Sequence, residues 1–313
     1  MKLTVLMDNN TYIDQYFLGE PAFSVYIEDG DERILFDTGY SDAFIRNAEQ
    51  MQIDLGELTY IVLSHGHNDH SRGLTFLWDK YDLQNVKLVA HPGVFAPTRY
   101  MDLDVGAPFT KEDCLAHGLQ VIDGSKPVQI TERLTFLGEI PRVTSFESKE
   151  PIGECTDTGL ADFVMDDSAL AYEGKEGVFI VTGCSHSGIC NIILQALRCS
   201  EEKGSGSVSE NNKSCEYVRN GFENNRNNNT GHGIVRDEEG RSKNIRSKTI
   251  SGIIGGFHLL KKNQQLTETI RFLEQHTKGM LYPCHCVSFA AKHEMMNTLP
   301  LTEVGVGLQL EIK

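Results

Sequence analysis

A chain of 313 residues with 40% hydrophobic content can bury a substantial core, and the simplest count is one α/β domain spanning 1–313. Its formal net charge of −15 argues against a nucleic-acid partner, because an acidic surface repels phosphate backbones unless basic residues gather in a patch. No run approaches the ~18 apolar residues of a membrane helix, and the eight cysteines lack the dense spacing of a disulfide scaffold. The expectation is a cytoplasmic protein with reduced thiols and no membrane partner, with a homo-oligomer left open.

In chain order, apolar runs predict strands at 3–7, 22–28 and 33–37. The Asp29-Gly30-Asp31 turn makes these an antiparallel meander. A helix is expected over 41–51, a strand at 60–64, a helix after Gly73, and strands at 86–90 and 178–182. A helix at 187–198 leads to a segment, 200–248, that is rich in Asn, Gly, Ser and charge, with NNRNNNTGHG at its centre. It holds nine Lys and Arg against eight Asp and Glu, so the acidity lies in the rest of the chain. This segment reads as a disordered insertion, tolerable because loop closure costs grow only logarithmically with length. A strand at 250–255, a helix at 266–276, a strand at 280–283, a helix at 289–297 and a strand at 308–312 complete a layered α/β pattern.

The chemistry concentrates in YIVLSHGHNDHSRGL, where a buried-type strand runs into His65-Gly66-His67-Asn68-Asp69-His70. Glycine between His65 and His67 lets both imidazoles turn to one side and serve one metal. Asp69 and His70 follow within a tight turn and can hold a second ion. Two such ions about 3.5–4 Å apart form a clamp for the oxygens of a transferring or leaving group. Three further histidines each follow an apolar run, as a site built from strand ends requires: His186 in VFIVTGCSHSGI, His258 in IIGGFHLL and His285 in MLYPCHC. His91, ending the strand before Pro92, is a candidate phosphate contact. Cys284 and Cys286 flank His285 in a spacing that is not a zinc finger's, and are read as packing around it.

The HxHxDH signature after a strand resembles the metallo-β-lactamase superfamily. That resemblance implies a four-layer αβ/βα sandwich, two mixed sheets with outer helices and the site at one edge between them. It implies that His186 completes a first metal set with His65 and His67, that His285 joins Asp69 and His70 at the second, and that Asp69 and His186 are catalytic. Asp37 in ILFDTG would support the metal loop from behind. Cys184 falls near the usual bridging position, where a carboxylate is missing. His258 and His91 would contact substrate. The cofactor implied is zinc, in two ions, with manganese or iron compatible with the ligand types. Histidine at position 67, where the di-iron oxygen-reducing relatives place Glu, argues against that class.

TGCSHSGI, GGFHL and PCHC resemble one branch, the 7,8-dihydropterin-6-methyl-4-(β-D-ribofuranosyl)aminobenzene-5′-phosphate synthases of methanopterin biosynthesis. Two departures stand out: Arg72 replaces the usual Gly, and Val287-Ser288 replaces Thr-Gly after PCHC. The leading expectation is a transferase of that coupling type acting on a small phosphorylated substrate. The alternatives are a zinc-dependent hydrolase of a small ester, lactone or phosphodiester, and a non-catalytic metal-binding sensor.

Overall fold

A computed structural model describes residues 1–205, 235–236, 242–243 and 249–313. The two-residue period of a strand sorts its apolar side chains between two cores. In strand Glu32–Phe36, Ile34 and Phe36 join a central core while Leu35 faces the opposite one. In strand Gly177–Thr182, Phe179 and Val181 face the centre and Val178 and Ile180 face outward. Both faces are therefore buried, which is why these strands read as nearly unbroken apolar runs.

The first sheet has the order Gln309–Glu311, Lys2–Met7, Ser24–Asp29, Glu32–Phe36, Tyr60–Val62, Lys87–Ala90, Gln120–Asp123. Its opening meander is antiparallel, as expected, and its last four strands are parallel. The second has the order Thr277–Pro283, Ile250–Gly255, Gly177–Thr182, Ala169–Gly174, Leu134–Phe136, Val128–Gln129, with the first three parallel. Both sheets are mixed, and they pack face to face on the central core. Helices Ala43–Gln50 and Gly73–Lys80 cover the outer face of the first sheet; Ile189–Ser205, Gln264–His276 and Phe289–Met295 cover that of the second. The expected helix–sheet–sheet–helix layering is observed.

Three strands of the second sheet carried no clear sequence signal. Ala169–Gly174, reading ALAYEG, has small residues and a glutamate that dilute its β character, yet it is hydrogen-bonded on both sides. A small sheet, in the order Leu160–Ala161, Glu154–Cys155, Thr98–Tyr100, Leu103–Asp104, was also unanticipated.

The expected insertion boundary at 200 needs correction, because helix Ile189–Ser205 continues through Ser200. No breaker intervenes before Gly204, and an Arg198–Glu202 pair one turn apart (3.5 Å) supports the last turns. Of the 200–248 segment, the end of that helix to Ser205 and the pairing of Val235–Arg236 with Ser242–Lys243 are described; the rest lies outside the described residues.

The registers Phe36↔Val62 and Thr182↔Gly255↔Pro283 bring the carboxyl ends of five strands to one edge of the sandwich. The residues just beyond those ends are Asp37, His65, Cys184 with His186, His258 and His285. Carboxyl ends of parallel strands are where α/β sheets place ligands.

Candidate metal centre

Four groups of potential ligands meet at that edge, each with its donor atoms within 4.8 Å of one another: His65, His67 and His186; Asp69, His70 and His285; His65, His70 and Cys184; and Cys184, His258 and Cys286. The backbone is bent to aim them. Asp37 (φ 55°), Ser185 (58°), His258 (46°) and His285 (51°) all occupy the left-handed region, a concentration of strained residues where strands give way to the site. Two glycines allow the close approach. A Cβ at Gly66 would lie 2.5 Å from the Val94 carbonyl oxygen, and one at Gly183 would lie 2.1 Å from Ser64 Oγ.

One carboxylate organises both halves of the loop. Asp37, fully buried, accepts from Ser64 N (2.7 Å) and Ser64 Oγ (2.8 Å), and from His70 Nδ1 (2.7 Å). Since the Ser64 hydroxyl proton goes to Asp37, its oxygen accepts from His65 Nδ1 (2.9 Å). His65 Nε2 then turns a lone pair toward His67 Nδ1, 3.1 Å away. His285 is fixed in the same manner by the first strand: its Nδ1 donates to Asn9 Oδ1 (3.0 Å) and its backbone N–H to Asp8 Oδ1 (3.0 Å).

These bonds allow a test of whether the residues suit a metal. A neutral imidazole has one N–H, and His70 and His285 spend theirs on Asp37 and Asn9. Their Nε2 atoms nevertheless approach to 3.1 Å, with Asp69 Oδ2 at 3.7 and 3.3 Å and Cys184 Sγ 3.2 Å from His70 Nε2. Lone pairs do not converge in this way without a cation or an added proton between them. Among the described residues, His67 Nε2 and both ring nitrogens of His186 are buried without hydrogen-bond partners. Nitrogen donors oriented by outer hydrogen bonds and joined by one carboxylate fit divalent ions of the zinc kind.

The electrostatics divide the site. Burial, reinforced by neighbouring imidazoles, drives His65 and His186 well below the ordinary histidine value, and burial carries His67 down to about 4 against the pull of Asp69. His70 goes the other way: burial opposes its charge, but Asp69 and Asp37 raise it to about 9. Burial also opposes ionisation of Asp69, yet His70 and His285 hold it below the usual carboxylate range. At neutral pH the metal-free chain thus carries the added proton at His70.

Most of the residues singled out in the sequence face one cavity of about 560 Å³, among them His67, Asp69, Cys184, His186, His258 and His285. The His258 ring lies 4.5 Å from that of His186. His65, His70 and Asp37 are fully buried and do not line that cavity, and His91 lies elsewhere. Its Nδ1 accepts from Gly93 N (3.0 Å), capping the turn Pro92–Phe95, and it lines a smaller cavity of about 120 Å³ behind Gly66 and His67. Pro92 turns the chain away at the point where the other strand ends reach the cluster of potential ligands.

Several supporting residues escaped sequence reasoning. Ser64, Asp8 and Asn9 orient the ligands, and Asp166 Oδ2 accepts from Gly66 N at 2.7 Å. The polar run Asp8-Asn9-Asn10 directly after an apolar strand was a usable signal for the first strand's share. Burial pushes Asp166 up to about 7.

The sequence pattern of the metallo-beta-lactamase superfamily matches residues 18–147. Uncharacterized protein MJ0448 of Methanocaldococcus jannaschii is 34% identical over 209 residues, covering 64% of this chain and 76% of that protein. The chain belongs to the metallo-β-lactamase superfamily. A second relative, the 7,8-dihydropterin-6-methyl-4-(beta-D-ribofuranosyl)-aminobenzene-5′-phosphate synthase of the same organism, is 25% identical over 277 residues, 85% of this chain and 79% of that one. The fold is that of Tm1679, described as a metal-dependent hydrolase of the beta-lactamase superfamily. It matches with a TM-score of 0.72 at 23% identity and covers 100% of this chain and 99% of the other. No described helix is long and apolar enough to cross a membrane.

Proposed function

We propose that this superfamily member is a metal-dependent enzyme acting at an oxygen leaving group of a small phosphorylated substrate, and that its reaction is the coupling of a dihydropterin pyrophosphate to a ribofuranosylaminobenzene phosphate or a close variant of it. The observation that carries the metal-dependent part is the convergence of His70 Nε2, His285 Nε2 and Asp69 Oδ2 after both neutral rings have spent their N–H elsewhere, which calls for a cation or, in its place, an added proton. Likeness to the synthase over 85% of the chain supports the finer assignment.

In this reading His65, His67 and His186 hold one ion, and Asp69, His70 and His285 the other, with Cys184 at the junction where a bridging carboxylate is missing. Zinc suits the donors, with manganese and iron as alternatives; such ions supply Lewis acidity toward a phosphate or carbonyl oxygen. The side chains define the rest. Asp69 is kept ionised, so it accepts a proton-bearing nucleophile's hydrogen bond and cannot act as an acid. His258 is the protonatable imidazole of the cavity wall: burial opposes its charge, but the neighbouring Cys286 raises it, which suits donation to a departing anion. Tyr40, Tyr100, Val105 and Ile152 give the cavity an apolar side, appropriate for an aromatic or heterocyclic substrate body.

A hydrolase reading stands beside this one, because the higher identity to the uncharacterized MJ0448 (34%) than to the synthase (25%) of the same organism sets this chain apart from the synthase without naming a reaction. Zinc-reconstituted protein would be incubated with 6-hydroxymethyl-7,8-dihydropterin pyrophosphate, with and without the ribofuranosylaminobenzene phosphate, beside a His67→Ala control. A coupled product in the mass spectrum, absent in the control, is expected. Pyrophosphate released without coupling would replace the transferase by a hydrolase. No turnover of these or of bis(p-nitrophenyl) phosphate would point to a metal-binding sensor.

A further inference from the structure

Among the described residues, no Lys or Arg lines the cavity over the metal ligands. It shares Tyr40 and Asn68 with a second cavity of about 490 Å³, where the one cation among the described lining residues is Arg72. Arg72 lies two residues beyond the ligand His70 and is itself in none of the ligand groups. Its placement follows from the helix that carries the ligands. Asn68–Ser71 is helical and Arg72 continues it (φ −60°, ψ −33°), so Arg72 follows Asn68 by four residues and Asp69 by three. Side chains at those spacings lie on one face, with Cβ atoms about 5–6 Å apart. The ligand Asp69 and the cation Arg72 therefore belong to neighbouring parts of one continuous groove, with Asn68 and Tyr40 between them.

The guanidinium is held but not neutralised. Its Cζ lies 4.4 Å over the centre of the Tyr40 ring, and among the described residues it forms no ion pair. Asp104, the acidic residue lining the same cavity, is engaged by Arg99 through Nε (3.1 Å) and Nη2 (3.0 Å). A stacked, half-buried Arg without a carboxylate partner, in a chain of net charge −15, presents its planar donor fork to a ligand.

We propose that Arg72 is a specificity-determining residue: it binds a second anionic group of the substrate, a phosphate or a carboxylate, carried about one helical turn from the group that reacts at the metal ligands. This rests on the cavity being the substrate site, and it narrows the substrate class to molecules with an anion at each end.

Calorimetric titration of the zinc-loaded protein tests it without turnover, using phenylphosphonate, benzene-1,4-diphosphonate and 4-phosphonobenzoate. The wild type should bind at least one two-ended ligand about tenfold or more tightly than phenylphosphonate. Arg72→Gln should abolish that gain and Arg72→Lys should keep part of it, while phenylphosphonate binds all three proteins alike and reports their integrity. The second anion with the larger gain, phosphonate or carboxylate, names the preferred group. Absence of a gain in the wild type, or its survival in Arg72→Gln, would overturn the role of Arg72 and leave the metal chemistry standing. Failure of all three ligands to bind would overturn both readings.

Discussion

The two halves of the ligand cluster solve opposite electrostatic problems a few ångströms apart. His65, His67 and His186 form an all-imidazole pocket in which burial suppresses every positive charge. Asp69, His70 and His285 form a pocket where Asp69 and Asp37 draw a proton onto His70. The first half is a set of neutral donors ready for a cation. The second already contains a substitute for one, and a metal must displace it. Identical ions should therefore load the two halves with different affinity, pH dependence and sensitivity to mutation.

Removing a ligand breaks the comparison most severely. His67→Ala and His70→Ala should each reduce bound zinc from two ions per chain to one, measured by elemental analysis after dialysis. Each should cost turnover more than the roughly 10–100-fold typical of losing a ligand's hydrogen-bond partner. Loss of both ions from either variant would mean the halves form one cooperative site. Asp37→Ala comes next, because its carboxylate orients His70 directly and His65 through Ser64. Zinc affinity of the second half should fall by about 10–100-fold, with a smaller loss at the first; equal losses would erase the distinction drawn here.

Acidity sharpens the same contrast. A metal takes the unprotonated nitrogen, so with His70 near 9 the affinity of the second half should fall roughly tenfold per pH unit below that value and level off above it. The first half, with His67 near 4, should be flat from about pH 5 upward. Titrations at pH 8 in buffers of different ionisation enthalpy should show close to one proton released on binding to the second half and almost none on the first. Equal release at both would contradict the assignment of the stored proton to His70.

What could be read from the sequence follows the distance over which each interaction acts. His65, His67, Asp69 and His70 were legible because four ligands fall within six residues after an apolar strand. His186, His258 and His285 were legible as strand-end histidines, once parallel strands were expected to deliver their carboxyl ends to one edge. The supports of those ligands were not. Asn9 reaches His285 across 276 residues and Asp166 reaches Gly66 across 100, and no local pattern encodes such pairings. His91 obeyed the strand-end rule and still missed the cavity, because the turn started by Pro92 decides where its ring points. The same limit applies to Ala169–Gly174, whose place between two strands, not its composition, makes it β structure.

A stability measurement tests whether neutrality extends behind the all-imidazole half. Asp166 lies at the back of the His65-Gly66-His67 turn, accepting from Gly66 N, and burial with help from Asp162 and Asp167 raises it to about 7 although backbone hydrogen bonds favour its charged form. Its folded value lies above the unfolded one, near 3.8. Between those two values the folded chain binds the extra proton, so this group's contribution to stability is full below about pH 4, declines as pH rises toward 7 and is flat beyond. Asp166→Asn keeps an oxygen for Gly66 N and removes the titration. Compared as metal-free proteins by thermal or urea unfolding, the variant should gain on the wild type between pH 4 and pH 8 by up to about 4 kcal/mol. Parallel stability curves would show that Asp166 is charged in the folded state, and the first half would then have a carboxylate at its back as the second has at its front.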